Sequence, residues 1–153
     1  PLYNLLGLLG LRNTYWALIL PQVGLSVSFG TLWMSSFFGS APKELIDAAT
    51  IDGANRWQVL WGILFPLAKP ATTTLVVLIF IWTWNEFLLA LVMIQSESMR
   101  TLPVGLAFFQ GRFSADLSLM AAGAIIVALP TILIYVIFQR FLIRGMLGGA
   151  IKG

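Results

Sequence analysis

The chain has 153 residues, 59% of them hydrophobic and only 10% charged, with a mean hydropathy of +0.91. Soluble domains carry about 25% charged residues, so this composition excludes an ordinary water-facing domain and points to lipid. The net charge of +3 is too small and too dispersed for a nucleic-acid footprint, and the lack of His and Cys removes the commonest general base, the commonest metal ligand and any disulfide.

The opening, Pro1-Leu2-Tyr3-Asn4, has neither Met nor a basic leader, so the chain is expected to begin inside a longer protein. Leu2, Leu5, Leu6 and Leu9 recur at helical spacing. Residues 2–11 read either as a short interfacial helix or as the tail of a preceding span. Residues 15–38 form the first predicted span, long enough for roughly 30 Å of hydrocarbon. Pro21 is expected to kink it or mark its true start. Gly24, Ser26, Ser28 and Gly30 offer small surfaces for helix packing.

Residues 39–70 interrupt the apolar pattern. Three of the six acids, Glu44, Asp47 and Asp52, fall within nine positions here, and their charges require water. Pro42 fits a first helical position, and Glu44 and Asp47 lie where the helix dipole favours negative charge. Leu45, Ala48, Ala49 and Asp52 share one face. Gly53 can end that helix in the left-handed conformation. Asn55 and Gln58 resemble a capping box for a second helix, whose Trp57, Leu60, Trp61 and Leu64 form an apolar stripe. Pro66 marks the exit.

Residues 71–94 form the second predicted span, opened by Pro70 and a Thr72-Thr73-Thr74 run. Trp82, Trp84, Asn85 and Glu86 fall well inside it. A lipid-facing carboxylate at that depth costs about 2.5 kcal/mol or more, so Glu86 is expected to face protein, a watery path or a cation. It reads either as a pathway residue or as a helix-packing hydrogen-bond group, with Asn85 beside it. Residues 95–116 are a polar link carrying Glu97, Arg100, Arg112 and Asp116. Within the link, Leu102, Val104, Leu106, Phe108 and Phe109 suit a short re-entrant or interfacial piece. Residues 117–142 form the third span, small and packable over Ala121–Ala124 and Ala128, with a kink expected at Pro130. The glycine-rich tail, 143–153, is expected to be too flexible to fold alone.

Three spans alternate sides. Lys43, Arg56, Lys69, Arg140, Arg144 and Lys152 lie on the side of the loop and tail, against Arg12, Arg100 and Arg112 on the other. The positive-inside rule therefore puts loop 39–70 and the C-terminus in the cytoplasm of a multi-pass cell-membrane protein.

Asp47-Ala48-Ala49, then Asp52-Gly53-Ala54, then Ile63-x-Phe65-Pro66 after a fixed gap resembles the EAA loop of ABC importer permeases. The family form is Glu-Ala-Ala, three residues, Gly, nine residues, Ile-x-Leu-Pro; Asp47 and Phe65 are mild departures. The Asp-Gly-Ala centre, and Trp84-Asn85-Glu86-Phe87 further on, resemble the carbohydrate-importer branch, of the maltose-transporter type. The resemblance covers nearly the whole chain. It implies an all-α membrane fold, the C-terminal half of a six-helix type I importer domain. Its loop would be a coupling helix docked on a cytoplasmic ATPase dimer, through Glu44, Asp47, Ala48, Ala49, Asp52, Gly53, Ala54 and Pro66. Its implied partners are a second, usually different, permease subunit and an extracytoplasmic solute-binding protein. The tail, with Gly148, Gly149, Lys152 and Gly153, would reach into the ATPase; a loose terminus is the other reading.

The residue types suit that role. Ala48, Ala49, Gly53 and Ala54 let a partner approach the backbone, and Asp47 and Asp52 can accept charge-assisted hydrogen bonds. No cofactor is implied, and the chain has no phosphate-binding Gly-x-x-x-x-Gly-Lys-Ser/Thr loop, so ATP hydrolysis is expected in a separate subunit and none in this one. An ion-coupled secondary transporter would show internal repeats and several intramembrane charges, where only Glu86 qualifies. An intramembrane enzyme would need an unusual Ser-based site.

Overall fold

The computed structural model describes residues 1–112 and 117–150, with side chains at 1–108 and 117–143. The described residues contain helices and no strand. In order these are α1 (Leu2–Leu8), α2 (Trp16–Gly39), α3 (Lys43–Ile51), α4 (Arg56–Val59), a π-helical turn (Leu60–Leu64), α5 (Phe65–Leu67), α6 (Lys69–Trp84), α7 (Leu88–Met93), a 3-10 turn (Glu97–Met99), α8 (Leu102–Arg112) and α9 (Leu117–Ala150). Helix α2 and the stretch Leu117–Ile143 of α9 are each long and apolar enough to cross a membrane. Helix α6 has 16 residues, about 24 Å at 1.5 Å per residue. That falls short of the ~30 Å of a hydrocarbon core.

The chain divides into two compact units, Pro1–Ser26 with Ile79–Val136, and Val27–Leu78 with Ile137–Gly153. The first unit has a small core of Leu6, Ala17, Leu18, Ala90, Met93, Ile94 and Val104. Helix α1 is closed by Gly10 at φ 69°, with Gly10 N–H donating to Gly7 O and Leu11 N–H to Leu6 O, the pairing of a Schellman stop. Leu2–Leu8 is therefore a helix separate from α2. Asn13, at φ 55°, holds the next corner. Its Oδ1 accepts from the N–H of Gln95 (2.9 Å) and of Ser96 (2.8 Å), and its own N–H donates to Met93 O. Asn is among the few residues that take this backbone conformation readily. In the polar link, Arg100 lies over the Phe108 ring at 3.9 Å and 3.7 Å from Glu97. Val104 of α8 is buried in the core, and a Cβ on Gly123 would stand 2.9 Å from Leu106, so the small stretch of α9 is what lets α8 lie against it.

The second unit is held by side-chain donors reaching backbone carbonyls. Trp33 Nε1 donates to Ala71 O at 3.1 Å, which joins α2 to α6. The fully buried Thr74 hydroxyl lies 3.0 Å from Pro70 O and 2.8 Å from Phe141 O, which joins α6 to α9. A Cβ on Gly30 would touch Leu75 at an ordinary 3.5 Å, whereas Gly24 has open space among the described residues.

The helices depart from the sequence reading in four places. Pro42 is the N-cap of α3 and not its first helical residue, since its ψ of 123° is extended. Pro21 lies inside α2, so of its two readings, a kink or the true start, the second is excluded. The stretch 71–94 is two helices, because α6 stops at Trp84 and α7 begins at Leu88. Finally, α9 runs past Gln139 and Arg140 to Ala150, so Gly148 and Gly149 continue a helix. No proline or cap follows Pro130 to stop it, and each added helical residue gains a hydrogen bond, against which each Gly costs about 1 kcal/mol relative to Ala. Asp116, Lys152 and Gly153 lie outside the described residues.

Candidate functional site

The polar loop is an elbow between two short helices. The last turn of α3 closes through Asp52 N–H to Ala48 O (3.0 Å), Gly53 N–H to Thr50 O (3.0 Å) and Ala54 N–H to Ala49 O (2.9 Å). The last two bonds are the Schellman pair. They require Gly53 at its φ of 81°, a conformation that costs an L side chain roughly 1–2 kcal/mol. A Cβ there would meet nothing within 4 Å, so conformation rather than crowding selects glycine. Two residues later Asn55 Oδ1 accepts from Gln58 N–H (3.0 Å), and Gln58 Oε1 accepts from Asn55 N–H (2.8 Å). The capping box is complete. Stop and start thus share residues 52–55, with the key amides of the corner satisfied internally.

The second helix of the elbow is less regular than its stripe predicts. Pro66 has no N–H to give the carbonyl four residues back, and its ring crowds that carbonyl. The chain accommodates it with a π-helical turn over Leu60–Leu64, in which Phe65 N–H donates to Leu60 O. Pro66 is therefore inside the helical path, in α5, and not at its exit. Along this stretch Trp57 and Trp61 are exposed, and the buried residues are Val59 and Ala68. The Trp61 ring lies against Phe65, tilted by 50° with ring centroids 4.9 Å apart. The stretch Arg56–Leu67 meets Lys69–Trp84 at an angle of 70°.

The surface of α3 is small, acidic and in part apolar. Glu44, Asp47, Ala48, Asp52 and Gly53 are exposed, Ala54 is half-buried and Ala49 is buried. Among the described residues Glu44, Asp47 and Asp52 make no ion pair. Beside them Leu45 is 45% and Ile51 85% exposed.

Asn85 and Glu86 lie together at the interruption after α6. Asn85 Nδ2 donates to Ile81 O (2.7 Å) and lies 3.3 Å from Thr131 Oγ1 on α9. Glu86 Oε1 accepts from Leu89 N–H at 2.7 Å and so caps the first turn of α7. Next to them Trp84 Nε1 donates to Val127 O at 2.9 Å. This carbonyl lies one residue from Ile126, whose carbonyl Pro130 deprives of its usual donor. Asn85 and Glu86 thus make packing and capping bonds within this chain, while each keeps a further oxygen. Sequence reasoning missed the Asn13 bracket and the break itself. Asn at a polar corner was the only local hint of the first. Gly148 and Gly149 belong to α9, and no side chain of the tail beyond Ile143 is described.

The profile of the family described as binding-protein-dependent transport system inner membrane component matches residues 2–148. The chain is 39% identical over its whole length to the probable ABC transporter permease protein YurM of Bacillus subtilis, of which it covers 51%. It is 39% identical to the sulfoquinovosyl glycerol transport system permease protein SmoH of Agrobacterium fabrum and 37% identical to the trehalose transport system permease protein SugB of Mycobacterium tuberculosis. These matches again take in the whole chain, and cover 54% and 57% of those proteins. The chain thus spans about half the length of the curated relatives it matches.

Proposed function

The chain belongs to the family of inner-membrane components of binding-protein-dependent transport systems, and on that premise we propose that it forms the C-terminal half of a permease subunit of an ATP-driven carbohydrate importer. Membership and apolar helices make it part of a multi-pass membrane protein. The carbohydrate class rests on relatives that carry sugars or sugar derivatives in their names. In this reading the permease hydrolyses nothing. A separate cytoplasmic ATPase dimer supplies the energy, a solute-binding protein delivers the sugar, and a second permease subunit completes the pathway. Loop 39–70 and the C-terminus face the cytoplasm, as the Lys and Arg distribution favours. The ion-coupled alternative has no support beyond Glu86, which is occupied as a helix cap.

One observation carries the coupling role of the elbow. Leu45 and Ile51 are exposed beside exposed Ala48 and three acids without ion pairs, on a helix whose end is fixed by Gly53 and the capping box. Apolar side chains held out rigidly in water favour a protein partner. Small neighbours let that partner come close, and Asp47 and Asp52 offer it charge-assisted acceptors. An ATPase pushing on so fixed a corner would turn α6, which follows after a 70° bend. The rocking of spans between inward- and outward-open states would start there.

Ala48→Trp in the full-length permease tests this directly. Ala48 is exposed, so the change leaves the fold intact while blocking close approach. We expect loss of ATPase co-purification and of sugar uptake; normal values for both would refute the coupling assignment.

A further inference from the structure

The break between α6 and α7 has features that neither capping nor packing uses. It falls inside an apolar stretch, where irregular backbone is tolerated only against protein or beside a water-filled cavity. Asn85 is exposed on this chain and Glu86 half-buried. A carboxylate and an amide facing lipid there would be costly, so this surface faces a wet path or another subunit.

The hydrogen-bond pattern fixes what the surface offers. Asn85 directs its NH2 group to Ile81 O and Thr131. Its Oδ1 is left as an acceptor without a partner among the described residues. Glu86 uses Oε1 on Leu89 N–H, and Oε2 has no partner among them. Trp82, three residues before Asn85 and so on the same side of α6, is 53% exposed. Two spare acceptors beside an aromatic ring suit a neutral ligand rich in hydroxyl donors. An anion would be repelled by Glu86, and one carboxylate with one amide is too sparse a set to cage a hard cation. Sites of this kind pair a few placed polar groups with an aromatic wall.

We propose that the α6–α7 break is a carbohydrate contact on the translocation path: Asn85 Oδ1 and Glu86 Oε2 accept hydrogen bonds from sugar hydroxyls, and Trp82 covers an apolar face of the ring. This rests on the importer reading above and adds a place where the subunit itself discriminates among sugars.

The experiment uses the full-length permease assembled with its partner permease, ATPase and binding protein in proteoliposomes, with radiolabelled trehalose, maltose and raffinose as probes. Sugar moved per ATP hydrolysed is measured at saturating sugar. Asn85→Ala and Trp82→Leu should lower that ratio about five- to ten-fold, the loss of roughly one hydrogen bond or stacking contact, and change the order of preference among the sugars. Glu86→Gln keeps an oxygen for Leu89 N–H but replaces the spare Oε2 acceptor by an NH2 donor, and should lower the ratio about three-fold. If Asn85→Ala or Trp82→Leu fails to assemble, Glu86→Gln decides alone. Wild-type ratios, or a loss equal for every sugar with the order unchanged, would overturn the contact and leave the importer reading standing. A wild-type complex that moves none of the three sugars would overturn the carbohydrate reading, and this site with it.

Discussion

Two helix interruptions in this chain are built in opposite ways. At the elbow, α3 stops at Gly53 and α4 starts at Asn55, with the bonds made between residues no more than five apart. At the break, α6 stops at Trp84 without glycine or proline. Its polar residues divide their bonds between the local backbone and α9, more than forty positions away. The elbow closes on itself and leaves apolar side chains outside. The break keeps spare oxygens. Under the two proposals above, stiffness suits a corner that a partner pushes, and unused acceptors suit one that a solute passes.

The comparison can be broken most forcefully at Gly53. Gly53→Val puts a β-branched residue at φ 81° and should cost about 2 kcal/mol, read as a lower unfolding temperature of the full-length protein in detergent. Gly53→Asn, which tolerates that conformation, should lose less than half as much. Equal losses would mean that space and not backbone geometry selects glycine. Asn55→Ala removes the side-chain half of the capping box and should cost about 1 kcal/mol, with amide exchange rising only across residues 55–59. Glu86→Ala should cost about as much through the cap on Leu89, whereas Glu86→Gln should change stability by a few tenths of a kcal/mol. The smallest effect sharpens the contrast. A double-mutant cycle of Asn85→Ala with Thr131→Val should give a coupling of about 0.6 kcal/mol, while Asn55→Ala with Thr131→Val should give none.

What the sequence revealed follows the same division. Gly53, Asn55 and Gln58 were readable because stop and cap are determined by residues within one turn. The long apolar stretches of α2 and α9 were readable because length and hydropathy are sums. Pro66 misled in part: its consequence is a π-helical turn over Leu60–Leu64, which no local pattern announced. The break after Trp84 was hidden because 71–94 is apolar apart from four threonines, Asn85 and Glu86, and carries no glycine or internal proline to mark a stop. The helical course of α9 to Ala150 was hidden by glycines whose individual cost is small. The elbow's assignment as a coupling surface came from the spaced motif, and no periodicity would have supplied it.

The bracket at Asn13 bears on how the protein is made. Its carbonyl oxygen waits for amides 82 and 83 residues downstream. As the chain leaves the ribosome, the corner before α2 emerges well ahead of the groups that lock it. A loop so long closes slowly and late. Until α7 and the residues just after it have been made, the first unit stays open at this corner.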